Sequence, residues 1–177
     1  ELRENIEGTK RYIDLASDLG MEGVKVRPNA ILDDVPEETT IEQIGVSVRE
    51  VAQAGTDQGI AIWHEVHGGG TSRIDRMRKI MDIADHPNAW ITYNCNPGET
   101  DATGSCRTSY DLLKHKIGCV HIEELWDPDR HPYRELLQCL KADGYQGWTS
   151  YEGPGSADPV LVMKYYRRIW ELMVDDQ

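Results

Sequence analysis

The stretch IAIWHEVHGGGTSRIDRMRKIMDIADHP, residues 60–87, decides the fold. Ile60 to Glu65 is short, apolar and rich in strand formers, and Gly68-Gly69-Gly70 behind it is a flexible turn. Ser72 with Asp75 reads as a capping box that opens a helix. Met77, Ile80 and Ala84 then recur on one helical face until His86-Pro87 stops it. This is one β/α unit.

The same unit repeats on both sides. Upstream, Leu2, Ile6, Ile13, Ala16 and Leu19 keep helical spacing up to Gly20, and Val24 to Arg27 is a strand closed by Pro28. Thr39 with Glu42 is read as a second capping box, opening a helix through Ile44, Val48 and Val51. Downstream come a strand at 89–94, a short helix at 110–116, a strand at 117–122 and a helix at 132–142. The last strand is 148–152, and Asp158-Pro159 caps a helix through Met163, Tyr166 and Ile169. Five strands, each followed by a helix, predict an α/β fold with a parallel sheet, as one domain over residues 1–177.

Composition narrows the function. The 177 residues hold 19 Lys+Arg against 31 Asp+Glu, a net charge of −12, which argues against a nucleic-acid partner. No apolar run approaches the roughly 20 residues of a membrane span, and no secretory leader is visible. Cys95, Cys106, Cys119 and Cys139 form no Cys-x-x-Cys pair, so free thiols in a reducing, cytoplasmic setting are expected.

The strands end on polar residues that a structural strand would not choose: Glu65, Asn94, His121 and Glu152. Their separations, 29, 27 and 31 residues, are each about one β/α unit, so they occupy equivalent positions at successive strand C-termini. Two residues earlier, Trp63, Thr92, Cys119 and Ser150 make a second inward layer. Two carboxylates, an imidazole and an amide form a mixed O/N donor set suited to Mn²⁺, Mg²⁺, Co²⁺ or Zn²⁺. Converging carboxylates repel unless a cation or a proton lies between them.

These residues resemble the xylose isomerase-like TIM-barrel superfamily, which includes sugar isomerases, ketose 3-epimerases, inosose dehydratases and endonuclease IV. Trp63-His64-Glu65-Val66-His67 resembles the family's Glu-x-His strand end, and Val120-His121-Ile122-Glu123-Glu124 its His-x-x-Asp. Gly144-Tyr145-Gln146-Gly147-Trp148 leading to Glu152 is similar to its closing strand, and Tyr93-Asn94-Cys95-Asn96 sits where an Asp is usual. Leu19-Gly20 before Val24-Lys25-Val26 matches its fourth strand. The resemblance implies a (β/α)8 barrel of which only the C-terminal five units, strands four to eight, are present. A complete barrel of this type runs to about 250 residues. The missing part, or a partner such as a second copy, is expected to cover two open sheet edges; an open doubly wound sheet is the alternative.

The resemblance further implies the metal ligands Glu65, Asn94, His121 and Glu152. Asn94 replaces the usual Asp and leaves the site one negative charge short. Glu65 and Glu152 are also the implied acid/base pair of a sugar or sugar-phosphate isomerase or epimerase that moves a proton through an enediolate. His67, Arg27, Asn96, Glu124 and Trp126 are the candidate substrate contacts; His67 alternatively backs the metal shell or is a loop histidine, and Trp126 either stacks on a sugar face or covers the core. Arg27 alternatively forms a salt bridge across the barrel mouth, and His86, His115 and His131 are read as surface residues. A keto-sugar lyase or dehydratase would use the same chemistry, and a non-catalytic sugar-binding relative would explain Asn94. DNA repair of the endonuclease IV type needs further His ligands and a basic face, against the charge of −12.

Overall fold

The computed structural model describes residues 1–28 and 30–175. The elements run α1 (Leu2–Asp18), β1 (Gly23–Val26), α2 (Glu37–Thr56), β2 (Ala61–Glu65), α3 (Ile74–Ala84) and β3 (Ala89–Tyr93). They continue with α4 (Arg107–Leu113), a 3₁₀ turn (Lys114–Lys116), β4 (Ile117–Ile122), α5 (Tyr133–Ala142), β5 (Trp148–Tyr151) and α6 (Pro159–Asp175). All neighbouring pairs are parallel and the spatial order is β1-β2-β3-β4-β5. A doubly wound sheet reverses direction at a switch point. This one never does, so the strands curl one way into a half-barrel.

Two helix starts differ from the sequence reading. α2 begins at Glu37 behind Pro36, so Thr39 and Glu42 lie inside the helix; Pro36 ends the preceding segment and Glu37 and Glu38 favour the first turn. α3 begins at Ile74, with Arg73 rather than Ser72 at the cap and no side-chain cap bond. At α6 the expectation holds, because Asp158 Oδ1 accepts from the Leu161 N–H at 3.0 Å.

Alternation along the strands sorts the two sheet faces. Ile62, Ile91, Tyr93, Val120 and Ile122 point outward and are fully buried against Ile13, Val48, Met77, Tyr110 and Leu136 of the helices. The inner face carries Trp63, and the strands yield to it. A Cβ at Gly23 or at Gly118 would lie 2.9 Å from the Trp63 indole, so both neighbours must be glycine. At Gly118 the β3–β4 register also shifts, with Ile91 opposite Ile117 but Thr92 opposite Cys119.

β1 and β5 each pair on one side only among the described residues. The ends of the curled sheet still meet, since Trp148 Nε1 donates to Glu22 Oε2 at 2.8 Å. Tyr12 and Leu15 of α1, Leu19 just past it, and Val160, Leu161, Tyr165 and Leu172 of α6 are exposed. All four cysteines are free and buried. Among the described residues, no helix is long and apolar enough to cross a membrane.

Candidate metal centre

The four polar strand ends converge at the C-terminal rim of the half-barrel. Glu65 ends β2 and His121 lies near the end of β4, while Asn94 and Glu152 follow β3 and β5 directly. His121 Nδ1 lies 3.3 Å from Glu65 Oε1, 2.9 Å from Glu152 Oε2 and 3.0 Å from Asn94 Oδ1. Glu65, His121 and Glu152 each offer a ligand atom within 4.8 Å of the others. Cis ligands of an ion bound at about 2.1 Å stand about 3.0 Å apart in an octahedron, so three groups this close to His121 Nδ1 could share one ion. Glu65 is buried, its side chain 2 % exposed, whereas that of Glu152 is 49 % exposed.

Asn94 has two ways to sit. With Oδ1 toward the cluster, Nδ2 donates to Asn96 Oδ1 at 3.4 Å. Turned over, its nitrogen donates to Glu65 Oε1 at 3.3 Å, His121 Nδ1 at 3.0 Å and Glu152 Oε2 at 3.2 Å. The first orientation presents a lone pair to an ion. The second supplies the positive edge that two carboxylates need without one.

Asn96 anchors the first orientation. Its Nδ2 donates to the Val66 carbonyl at 2.6 Å and to Glu99 Oε1 at 2.9 Å, tying the β3–α4 loop to the end of β2. Glu99 is buried, and burial pushes its carboxyl above the usual range. Asn96, expected at the substrate, therefore has its amide nitrogen engaged inside the protein and supports Asn94 from behind.

The other implied contacts spread out. His67 is half-buried past β2, and its backbone carbonyl accepts from Thr71 Oγ1. Arg27 is exposed just past β1, lining a groove of about 800 Å³ along α1, β1 and α2 that also reaches His64. Glu124 and the exposed Trp126 line a separate aromatic cavity of about 310 Å³ with Tyr151, Tyr165 and Tyr166. None of these four has a side-chain bond to the cluster among the described residues. His131 is a correction: it is buried, not on the surface, and packs between Tyr93 and Tyr133.

One site residue escaped the sequence reading. Lys25 Nζ lies 2.9 Å from Glu65 Oε2, on the oxygen that Glu65 does not turn to His121. The signal was present, because Lys25 alternates with Val24 and Val26 and so points inward from β1.

The profile of the xylose isomerase-like TIM barrel family matches residues 1–164. The chain belongs to this family. Comparison with curated proteins gives no match. Among solved structures, a D-tagatose 3-epimerase-like protein is 21% identical with a TM-score of 0.78, over 97% of this chain and 70% of that one. A 3-keto-D-glucoside 4-epimerase from E. coli is 17% identical with a TM-score of 0.73, over 95% and 69%. A xylose isomerase-like TIM barrel protein from Mycobacterium smegmatis, in complex with magnesium, is 18% identical with a TM-score of 0.66, over 97% and 67%. At these identities the likeness is one of fold. It places the five β/α units as part of an eight-unit barrel.

Proposed function

We propose that this chain, as a single partial barrel domain over residues 1–177, is a divalent-metal-dependent sugar or sugar-phosphate isomerase or epimerase working in the cytoplasm. The observation that carries this is the convergence of four strand ends, with Glu65, Asn94 and Glu152 oxygens 2.9–3.3 Å from His121 Nδ1. The sugar epimerases among its structural neighbours support a carbohydrate substrate. The unpaired buried thiols suit a reducing compartment.

Glu65 Oε1, Asn94 Oδ1, His121 Nδ1 and Glu152 Oε2 would hold Mn²⁺, Mg²⁺, Co²⁺ or Zn²⁺. When bound, the ion supplies Lewis-acid stabilisation of the negative charge that develops on a substrate oxygen as the adjacent carbon loses its proton. The residues divide the remaining work. Glu152 is the open carboxylate; it would remove that proton, giving the enediolate, and its conjugate acid would return the proton to the neighbouring carbon, which completes an isomerisation. Glu65, the other expected member of the acid/base pair, has its second oxygen on Lys25 and serves to hold the ion. Asn96 keeps Asn94 turned for coordination. His67, Arg27, Glu124 and Trp126 are reserved for the parts of the sugar that extend beyond the reacting carbons.

The test is metal content of the purified chain by elemental mass spectrometry, followed by a ketose screen. Near-stoichiometric metal, lost on Glu152→Ala, is expected. The Asn94 carboxamide favours one second reading, a sugar-binding relative with an impaired metal site. An empty wild type that fills on Asn94→Asp would select that reading and sink the enzyme.

A further inference from the structure

We propose that Lys25 is a built-in counter-charge of this centre: it holds Glu65 to one-oxygen coordination and weakens the grip on a divalent ion. The loaded site is then left net positive toward an anionic substrate oxygen. The inference rests on the metal reading above and deepens it.

Position comes first. Val24 and Val26 pack against the core while Lys25, in register with Trp63, faces the barrel interior two residues before the level of Glu65. The ammonium reaches Glu65 Oε2 at 2.9 Å, and Glu65 Oε1 faces His121 at 3.3 Å. The two oxygens of a buried carboxylate are thereby divided between a fixed cation and the donor cluster. Lys25 thus sets an ammonium directly on one of the two site carboxylates.

Charge then decides the consequence. Glu65 and Glu152 bring −2; Asn94 and a coordinating neutral His121 bring nothing. Lys25 makes the total −1. A divalent ion would leave such a site at +1, where the same ligands without Lys25 would leave it neutral. Glu65 is buried but the Lys25 side chain is 41 % exposed, so solvent screens this difference in part without removing it at contact distance. The site therefore binds the ion less tightly and favours a ligand that becomes negative on the ion's open side, such as a hydroxy-carbonyl losing a proton. Lys25 acts through Glu65 and the field, and is a positioning residue.

The experiment is a calorimetric Mn²⁺ titration of the full chain at neutral pH, comparing wild type with Lys25→Gln, Lys25→Met and Lys25→Arg, each checked for folding by circular dichroism. Lys25→Gln keeps a donor for Glu65 and removes only the charge. Both neutral variants are expected to bind Mn²⁺ about tenfold more tightly, and Lys25→Arg as wild type. Binding by Lys25→Gln alone, beside a silent wild type, would bear out the weakened grip and overturn the net-positive loaded site. A merely structural lysine predicts the opposite sign, so unchanged or weaker binding in Lys25→Gln, beside a wild type that binds, overturns this proposal alone. No binding in any variant, Asn94→Asp included, overturns the metal reading and this inference together.

Discussion

The central strands β2, β3 and β4 and the edge strands β1 and β5 belong to one sheet but live in different surroundings. Ile62, Ile91 and Val120 in the centre are completely buried, whereas Trp148 on β5 is 61% exposed. The centre supplies Glu65, Asn94 and His121, buried or nearly so. The edges supply the two groups with freedom to act, Lys25 and Glu152, with side chains 41% and 49% exposed. The half-barrel thus sets rigid ligands between two adjustable charges of opposite sign. Stability should therefore reside in the centre and chemistry should lean on the rim.

The largest test concerns imidazoles behind the central strands. Burial holds His64 and His131 at about 4, below the ordinary 6.5, and neither ring has a hydrogen-bond partner. The unfolded chain binds these protons first, so the stabilisation is complete above pH 6.5 and is lost as pH falls toward 4. Each His should contribute about 3 kcal/mol to this acid loss. Melting temperature measured across that range should fall steeply, and more gently in His64→Leu; parallel slopes would show that His64 reaches water. Next, Ile91→Ala should cost about 2–5 kcal/mol by cavity formation, against under about 1 kcal/mol for Thr149→Ala on β5. Equal costs in chemical denaturation would erase the distinction between centre and edge. Smaller again, Asn96→Ala should weaken Mn²⁺ binding about 10–100-fold, the usual cost of losing a ligand's support. An unchanged affinity would mean that Asn94 orients itself.

Much of this was readable from the chain. β/α punctuation located all five strands within a residue or so at each end, and the interval between polar strand ends picked out the cluster before any geometry. Local signals did less well. Thr39-x-x-Glu42 has the form of a capping box, but Pro36 and two glutamates start α2 earlier. His131 looks like a loop residue beside Pro132, and only packing between two tyrosines buries it. Lys25 is hard to read because a charged residue among valines looks like part of its strand, and its partner lies 40 positions away. Asn96 shows a related limit: motif position places a residue near a site without saying that its amide nitrogen bonds Val66 and Glu99.

The contact between Trp148 and Glu22 has a bearing on folding order. It closes a loop of 126 residues, while each pair of neighbouring strands closes one a fraction as long. Loop-closure entropy rises with length, so the strands zip neighbour to neighbour and the two ends of the sheet meet last. They are also the first to part. The Trp148 indole, one of five in the chain, is bonded to a carboxylate in the curled form, so its surroundings change when that junction opens.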